Sequence, residues 1–227
     1  MDFKGDFKSR FRIIYLAAFL VPLDPSDAWF QIRYSKIPVS TYQFKGNSLL
    51  VDVKQSAGPL IYRLSEPKIV KRLSISGRFS DLPKIPEGSV QGDRKSDDFI
   101  LRIGVIDEGK ETVSGFSRLF APSWLVDLVD HLTPKKAGYG GLRLFLISNM
   151  PGPLWTERSH PSHSSIHENI IRRIKSVGRF KENIELDDFS KRSIGIWIGP
   201  DGDDTKSNFQ VIIDRLEITF TEEGKEK

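Results

Sequence analysis

The chain has 227 residues, of which 38% are hydrophobic and 28% charged, a balance typical of one folded globular domain. Its 34 basic and 30 acidic residues give a net charge of +4 and are mixed along the sequence, so we expect no nucleic-acid partner. The absence of cysteine excludes disulfides, thiolate nucleophiles and cysteine-ligated zinc.

The N-terminal region has the pattern of a secretory signal. An apolar stretch from Ile13 to Leu23 follows several basic residues, and its length suits a signal peptide better than a membrane span. Ser26 and Ala28 supply the small residues of a cleavage site. We predict a signal peptide over residues 1–28, a single β-sandwich domain over 29–227, and export to the periplasm or cell envelope. The alternative is an N-terminal helix or strand of the folded domain. No later segment is apolar for long enough to predict a membrane span.

After the N-terminal region, apolar and polar residues alternate in the manner of half-buried strands. Leu49, Val51 and Val53 are the first such set. Further apolar runs bounded by turn residues predict strands at 60–64, 73–79, 99–106, 142–148, 194–198 and 209–220. In the last run the apolar parity changes near Asp214 and Arg215, which predicts a β-bulge there.

Two helices are predicted between the strands. Pro122 can open a short one, with an apolar face made of Leu125, Leu128, Val129 and Leu132. The second begins at a capping box formed by Ser165 and Glu168 and ends at Gly178. Its apolar stripe consists of Ile166, Ile170, Ile171, Ile174 and Val177, and its opposite face carries Arg172, Arg173 and Lys175.

Together these elements predict an all-β, mainly antiparallel protein. Because many short strands occur with few helices, we expect a two-sheet β-sandwich of jelly-roll or galactose-binding-like type, with one or two short peripheral helices. Strands and helices do not alternate, which disfavours a parallel α/β sheet.

An acidic loop near the C-terminus is the candidate metal site. Asp201, Asp203 and Asp204 offer the closely spaced oxygen ligands that calcium prefers. The loop does not match an EF-hand, because its sixth position is Lys206 rather than glycine. The alternative is a polar hairpin turn. No motif requires a cofactor, and calcium is the ion that this loop could bind.

Three histidines and a pair of aspartates are the remaining candidates for chemistry. His160, His163 and His167 could converge on zinc or copper, or could be surface residues. Asp97 and Asp98 could share a proton or flank a glycosidic bond. The alternative is an acidic strand start in which Asp98 binds Arg102 or a turn amide. No recognised catalytic motif is present, so an enzyme is the less favoured interpretation.

Several short motifs resemble an uncharacterised family of exported bacterial proteins, known as a domain of unknown function. The motifs are DDFILRI at 97–103, GIWI at 195–198 and DGDDT at 201–205, and the similarity extends over most of the chain after Trp29. The tryptophan-rich strand usual in that family is replaced here by Leu-Ser-Ile-Ser at 73–76. The resemblance implies export and a jelly-roll-like sandwich related to carbohydrate-binding folds, and it supplies no catalytic residue.

Three functions remain open at this point. The leading hypothesis is a non-catalytic binding module for a glycan, in which exposed Trp124, Tyr139 or Trp155 stacks on sugar faces; these rings could instead belong to the core. The first alternative is an envelope hydrolase or metal-dependent enzyme that uses Asp98 with Asp201 and Asp203, or the histidines. The second is an interaction or envelope-assembly protein that binds an envelope protein through the basic helix face.

Overall fold

The computed structural model describes residues 14–90, 92–93, 95–110, 121–132, 138–150, 155–161, 163–188 and 190–223. These residues form twelve strands and one helix. The strands are β1 (Ile14–Leu20), β2 (Trp29–Gln31), β3 (Thr41–Lys45), β4 (Ser48–Lys54), β5 (Leu60–Phe79), β6 (Leu101–Gly109), β7 (Gly138–Ser148), β8 (Glu157–His160), β9 (His163–Arg173), β10 (Gly178–Glu185), β11 (Ser193–Ile198) and β12 (Asn208–Glu223). The helix α1 spans Ser123–Leu132.

The strands form two layers that share one long strand. In the first sheet the order is β3, β4, β12, β5, β10, with β1 also paired to β12. In the second sheet the order is β2, β5, β11, β6, β7, β9, β8. All pairs of strands named here are antiparallel except β7 with β9. The start of β5, at 60–63, pairs in the second sheet, and its later part, at 69–79, pairs in the first. The runs predicted as two strands, 60–64 and 73–79, are therefore one strand.

The two sheets pack face to face, which confirms the predicted β-sandwich. Val51 and Leu73 of the first sheet share one buried cluster with Ile103 and Ile196 of the second, and all four are 0% exposed. Side chains alternate along β6, so Ile106 instead enters a cluster on the outer face of the second sheet. The second sheet is consequently buried on both faces.

Helix α1 covers that outer face. Its buried residues are Leu125, Leu128, Val129 and Leu132, as the sequence predicts. They pack in the same cluster as Ile106, Ile194 and Trp197 of the second sheet. Among the described residues, no helix has the length and apolar character needed to cross a membrane.

The second predicted helix is wrong, because the segment after Ser165 continues β9. Ile166 and Ile170 are four residues apart, a spacing that suits one face of a helix. Because four is an even number, the same spacing also places them on one face of a strand, with Glu168 between them on that face. β-branched isoleucines favour the strand. A register shift between Leu146 and Ile147 of the neighbouring β7 then turns the later isoleucines toward the other layer. The predicted basic helix face therefore does not exist.

The bulge predicted in the last strand is confirmed. The register of β12 against β5 shifts between Ile213 and Arg215. The Asp214 carboxylate between them accepts hydrogen bonds from the Ser48 hydroxyl and the Arg78 guanidinium. The bulge thus shifts the apolar positions of β12 by one residue. The apolar side chains before it and those after it consequently all face the core.

The segment predicted as a signal peptide contains β1. Residues 14–20 pair with β12, and Val21 and Leu23 are buried beside the sandwich core. Residues 1–13 lie outside the described part of the chain. Cleavage after Ala28 would remove β1 from the sheet, and export stays a prediction.

We expect Leu73→Ala to lower the free energy of unfolding by about 2–5 kcal/mol, because it leaves a cavity between the sheets. For a domain of this size that corresponds to a melting temperature lower by about 5–15 °C. Thermal unfolding followed by circular dichroism measures it. Val90→Ala, at an exposed position, is the control and should change the midpoint by no more than about 2 °C.

Candidate functional site

The pairing of β6 with β11 brings two acidic loops to one edge of the second sheet. Ile103, near the start of β6, pairs with Ile198, the last residue of β11. The loop before β6 and the loop after β11 therefore meet, and they border a pocket of about 300 Å³. The polar and aromatic residues that line it are Tyr34, Asp97, Asp98, Arg102, Trp124, His160, Glu168, Trp197, Asp201, Asp203 and Asp204.

The Asp98 carboxylate fastens the two loops together. It is 2% exposed and accepts hydrogen bonds from the backbone N–H groups of Asp204 (3.1 Å) and Thr205 (2.7 Å) and from the Thr205 hydroxyl. In return, Asp201 Oδ1 accepts the backbone N–H of Phe99 at 2.7 Å. The sequence alternative in which Asp98 binds turn amides is confirmed.

Three aspartates approach one another at this junction. The ligand oxygens of Asp98, Asp201 and Asp203 all lie within 4.8 Å of one another. Asp204, which the sequence grouped with them, instead accepts a long hydrogen bond (3.4 Å) from the backbone N–H of Asp97. The pKa of Asp203 is raised to about 6, first by burial and then by the nearby carboxylates of Asp98 and Asp204.

Two arginines balance part of this acidity. Arg102 forms ion pairs with Asp201 and, at 3.7 Å from Nε, with Glu168 Oε1, and its Nη2 donates to the Asp97 carbonyl at 2.6 Å. Arg158 donates to Glu168 Oε2 at 2.6 Å and to Asp97 Oδ1 at 2.8 Å. Six carboxylates line the pocket, and three of them, those of Asp97, Asp201 and Glu168, pair with these two guanidinium groups.

Aromatic rings hold both guanidinium groups in place. The Arg102 guanidinium carbon lies 4.6 Å from the centre of the Phe99 ring, and that of Arg158 lies 4.1 Å from the centre of the Trp155 ring. The Phe99 and Trp155 rings meet edge to face at 6.1 Å. Trp155 therefore supports the acidic network from beside the pocket.

Two of the residues that line the pocket each have a buried polar atom that makes no hydrogen bond within the described structure. These atoms are Oε1 of Glu168, whose side chain is 0% exposed, and Nε1 of Trp197, which is 3% exposed. A buried polar atom without a partner costs about 1–3 kcal/mol, so such atoms mark positions where a further group would bind.

The three aromatic residues predicted to contact a ligand lie in different environments. Trp124 lines the pocket and meets Tyr34 and Trp197 edge to face, each at 6.3 Å. Tyr139 is 1% exposed, and its hydroxyl lies 3.0 Å from the Ser165 hydroxyl, so it belongs to the core rather than to an exposed surface. Trp155 has the supporting position described above. Trp124 is thus the one of the three that the pocket lining includes.

The predicted histidine cluster does not form a ligand set within the described residues. His160 lines the pocket, and burial lowers its pKa, so it is neutral at pH 7. His167 neighbours Glu168 on β9, points to the opposite face and is exposed. The side chain of His163 lies outside the described part of the chain.

Sequence reasoning missed Glu168 and Arg158 as members of the site. Glu168 was assigned to a helix cap, which would have placed it at the surface. The signal that could have found it is the spacing Ile166, Glu168, Ile170: in a strand, a charge between two inward apolar residues also faces inward. Such a charge requires a partner, and Arg158 supplies it.

Comparisons with known proteins show a fold likeness only. No protein-family model matches the chain, and no curated protein matches it. Among solved structures, the chain is similar to a xylan-binding module of the type CBM15, with a TM-score of 0.34 and 11% sequence identity. The match covers 92% of this chain and 99% of that module. The structure itself defines the protein as a β-sandwich with an acidic pocket at one sheet edge.

We expect Asp203→Asn to raise the free energy of unfolding at pH 7.5 by about 1 kcal/mol. A carboxyl group whose pKa rises on folding makes its full contribution to folding stability below its unfolded pKa of 3.8. That contribution to stability is lost as the pH rises through about 6, the pKa in the folded protein. The full shift corresponds to roughly 3 kcal/mol, and we reduce it because part of the carboxyl meets solvent.

Thermal unfolding from pH 4 to 7.5 tests this expectation. The midpoints of variant and wild type should coincide at pH 4 and separate as the pH rises. Asp24→Asn, at an exposed aspartate, should follow the wild type throughout. A constant difference at every pH would contradict the proposed cause.

We expect Arg102→Met to lower the free energy of unfolding by about 3 kcal/mol, because it removes the counter-charge of Asp201 and one of the two guanidinium groups beside Glu168. Arg215→Met, at an exposed ion pair with Glu217, should cost less than about 1 kcal/mol. Urea unfolding of both variants measures the difference, and equal losses would mean that Arg102 does not neutralise the pocket.

Proposed function

We propose that the pocket binds a short segment of a glycan without converting it. The observation that carries the proposal is the unpartnered Nε1 donor of Trp197 in the wall of a pocket that also presents the Trp124 ring. Export, predicted from the N-terminal segment, would bring this pocket to envelope glycans.

The lining groups match the chemistry of a sugar. A sugar ring has an apolar face that packs on aromatic rings, and hydroxyl groups that both donate and accept hydrogen bonds. Trp124 supplies a ring, Trp197 supplies an N–H donor, and the acidic residues supply acceptors. Burial raises the pKa of Tyr34, so its hydroxyl stays protonated and can donate as well. A volume of about 300 Å³ is at the lower end of ligand pockets, which favours a short segment.

Binding is favoured over hydrolysis because the close carboxylates are already engaged. The two oxygens of Asp98 accept three hydrogen bonds from the loop at 204–205, and the oxygens of Asp201 are held by Phe99 N–H and Arg102. A nucleophile or general acid must form a covalent bond or release a proton during the reaction, and the hydrogen bonds and the ion pair that these oxygens accept oppose both steps. The alternative of a basic helix face that binds an envelope protein loses its basis with the helix itself.

The test is isothermal titration of the full chain with neutral oligosaccharides, using xylan, cellulose and chitin fragments as probes. We expect saturable binding to at least one of them. Trp124→Ala should weaken it at least tenfold, because the ring face is lost.

Tyr15→Ala is the matched control, since that exposed ring lies on β1 of the other sheet. Its affinity should equal that of the wild type. Release of shorter sugars during the titration would favour the hydrolase, and no binding to any probe would remove the glycan proposal.

A further inference from the structure

We infer that Asp98, Asp201 and Asp203 together bind one calcium ion at the junction of the two acidic loops. This site does not depend on the glycan proposal, because it is defined by oxygen atoms alone. It replaces the set suggested by the sequence, with Asp98 in the position that was assigned to Asp204.

The spacing of the three carboxylates fits a calcium ion. Calcium–oxygen distances are 2.3–2.6 Å, so two ligands on opposite sides of the ion are about 4.6–5.2 Å apart. All three ligand oxygens lie within 4.8 Å of one another, inside that limit. Asp98 comes from the loop before β6 and the other two from the loop after β11, so one ion would connect loops that β-sheet pairing already brings together.

The hydrogen bonds on Asp98 are compatible with metal binding. Oδ2 of Asp98 accepts two hydrogen bonds from Thr205, whereas Oδ1 accepts one from Asp204 and keeps a lone pair for a metal. The N–H groups of Asp204 and Thr205 fix the orientation of the Asp98 carboxylate, as outer partners do for metal-ligating groups in general.

The second, independent observation is the open oxygen of Glu168. Its side chain is 0% exposed, it lines the same pocket, and Oε1 has no hydrogen bond within the described structure. Arg158 donates to the other oxygen of this carboxylate at 2.6 Å, whereas Arg102 Nε lies 3.7 Å from Oε1 and Arg102 Nη1 is paired with Asp201. The Arg102 guanidinium therefore lies between Asp201 and Oε1 of Glu168 and donates no hydrogen bond to that oxygen.

A calcium ion on Asp201 would remove this conflict. With its charge balanced by the ion, Asp201 would no longer hold the Arg102 guanidinium, which could then donate to Glu168 Oε1. The ion would also offset the excess of six carboxylates over two guanidinium groups around the pocket. Calcium binding at the loops is thereby linked, through Arg102, to the formation of a hydrogen bond at Glu168 Oε1.

The test is isothermal titration of the EDTA-treated full chain with calcium chloride alone. We expect one ion per chain with a Kd of about 10⁻⁵–10⁻³ M, the range of sensor and extracellular calcium sites. Asp203→Asn should weaken binding at least tenfold. Asp214→Asn is the matched control, since that carboxylate is held by Ser48 and Arg78 at the β12 bulge, and it should leave the affinity unchanged.

A second pair of variants tests the link to Glu168. Glu168→Gln should weaken calcium binding several-fold, because Arg102 loses the carboxylate that receives it. Glu157→Gln, at an exposed position on β8 bonded to Asn169, should have no effect. Equal affinities for these two variants would contradict the role given to Arg102.

Three outcomes would overturn the site itself: no saturable calcium binding, calcium binding unaffected by Asp203→Asn, or magnesium bound as tightly as calcium. Magnesium needs shorter bonds of about 2.0–2.1 Å and regular octahedral geometry, so we expect it to bind at least tenfold more weakly. Oligosaccharide binding measured in EDTA separates the two proposals. The chain can bind an oligosaccharide without binding calcium, and it can bind calcium without binding an oligosaccharide.

Discussion

The reciprocal hydrogen bonding between the loop before β6 and the loop after β11 is the constraint on which the site depends. Asp98 receives the N–H groups of Asp204 and Thr205, and Asp201 receives the N–H of Phe99. Each loop therefore satisfies backbone donors of the other, which an isolated loop could not do for itself. Because both acceptors are aspartate side chains, the contacts that join the loops also concentrate acidic groups at this edge.

That concentration explains the rest of the pocket. Arg102 and Arg158 face it from β6 and β8, and the rings of Phe99 and Trp155 hold their guanidinium groups. These two guanidinium groups do not hydrogen-bond every carboxylate oxygen around them. Oε1 of Glu168 has no hydrogen-bond partner, and the pKa of Asp203 is raised by burial and by its carboxylate neighbours. Each of these features lowers the stability of the protein without a ligand. A bound cation or hydrogen-bond donor would reduce that loss of stability.

The fold was largely predictable because its signals are local. Alternation in β4, the apolar face of α1 and the change of parity at Asp214 each depend on a few neighbouring residues, and each is confirmed. The failure in β9 has a local cause too: an isoleucine spacing of four fits both a helix and one face of a strand. Only the partners of Ser165 and Glu168, a core tyrosine and Arg158, decide between them, and these come from other strands.

The site was predictable only in part, because its contacts join distant segments. Asp201 and Phe99 are separated by 102 positions in the chain, so no local pattern could show that Asp98 rather than Asp204 completes the group of three aspartates. Their proximity follows from the register of β6 against β11. An edge where buried charges exceed their partners is a poor way to stabilise a sandwich whose core is otherwise well packed. Such an edge suits binding better than folding, since a ligand that completes the unsatisfied groups gains the energy that the folded protein forgoes.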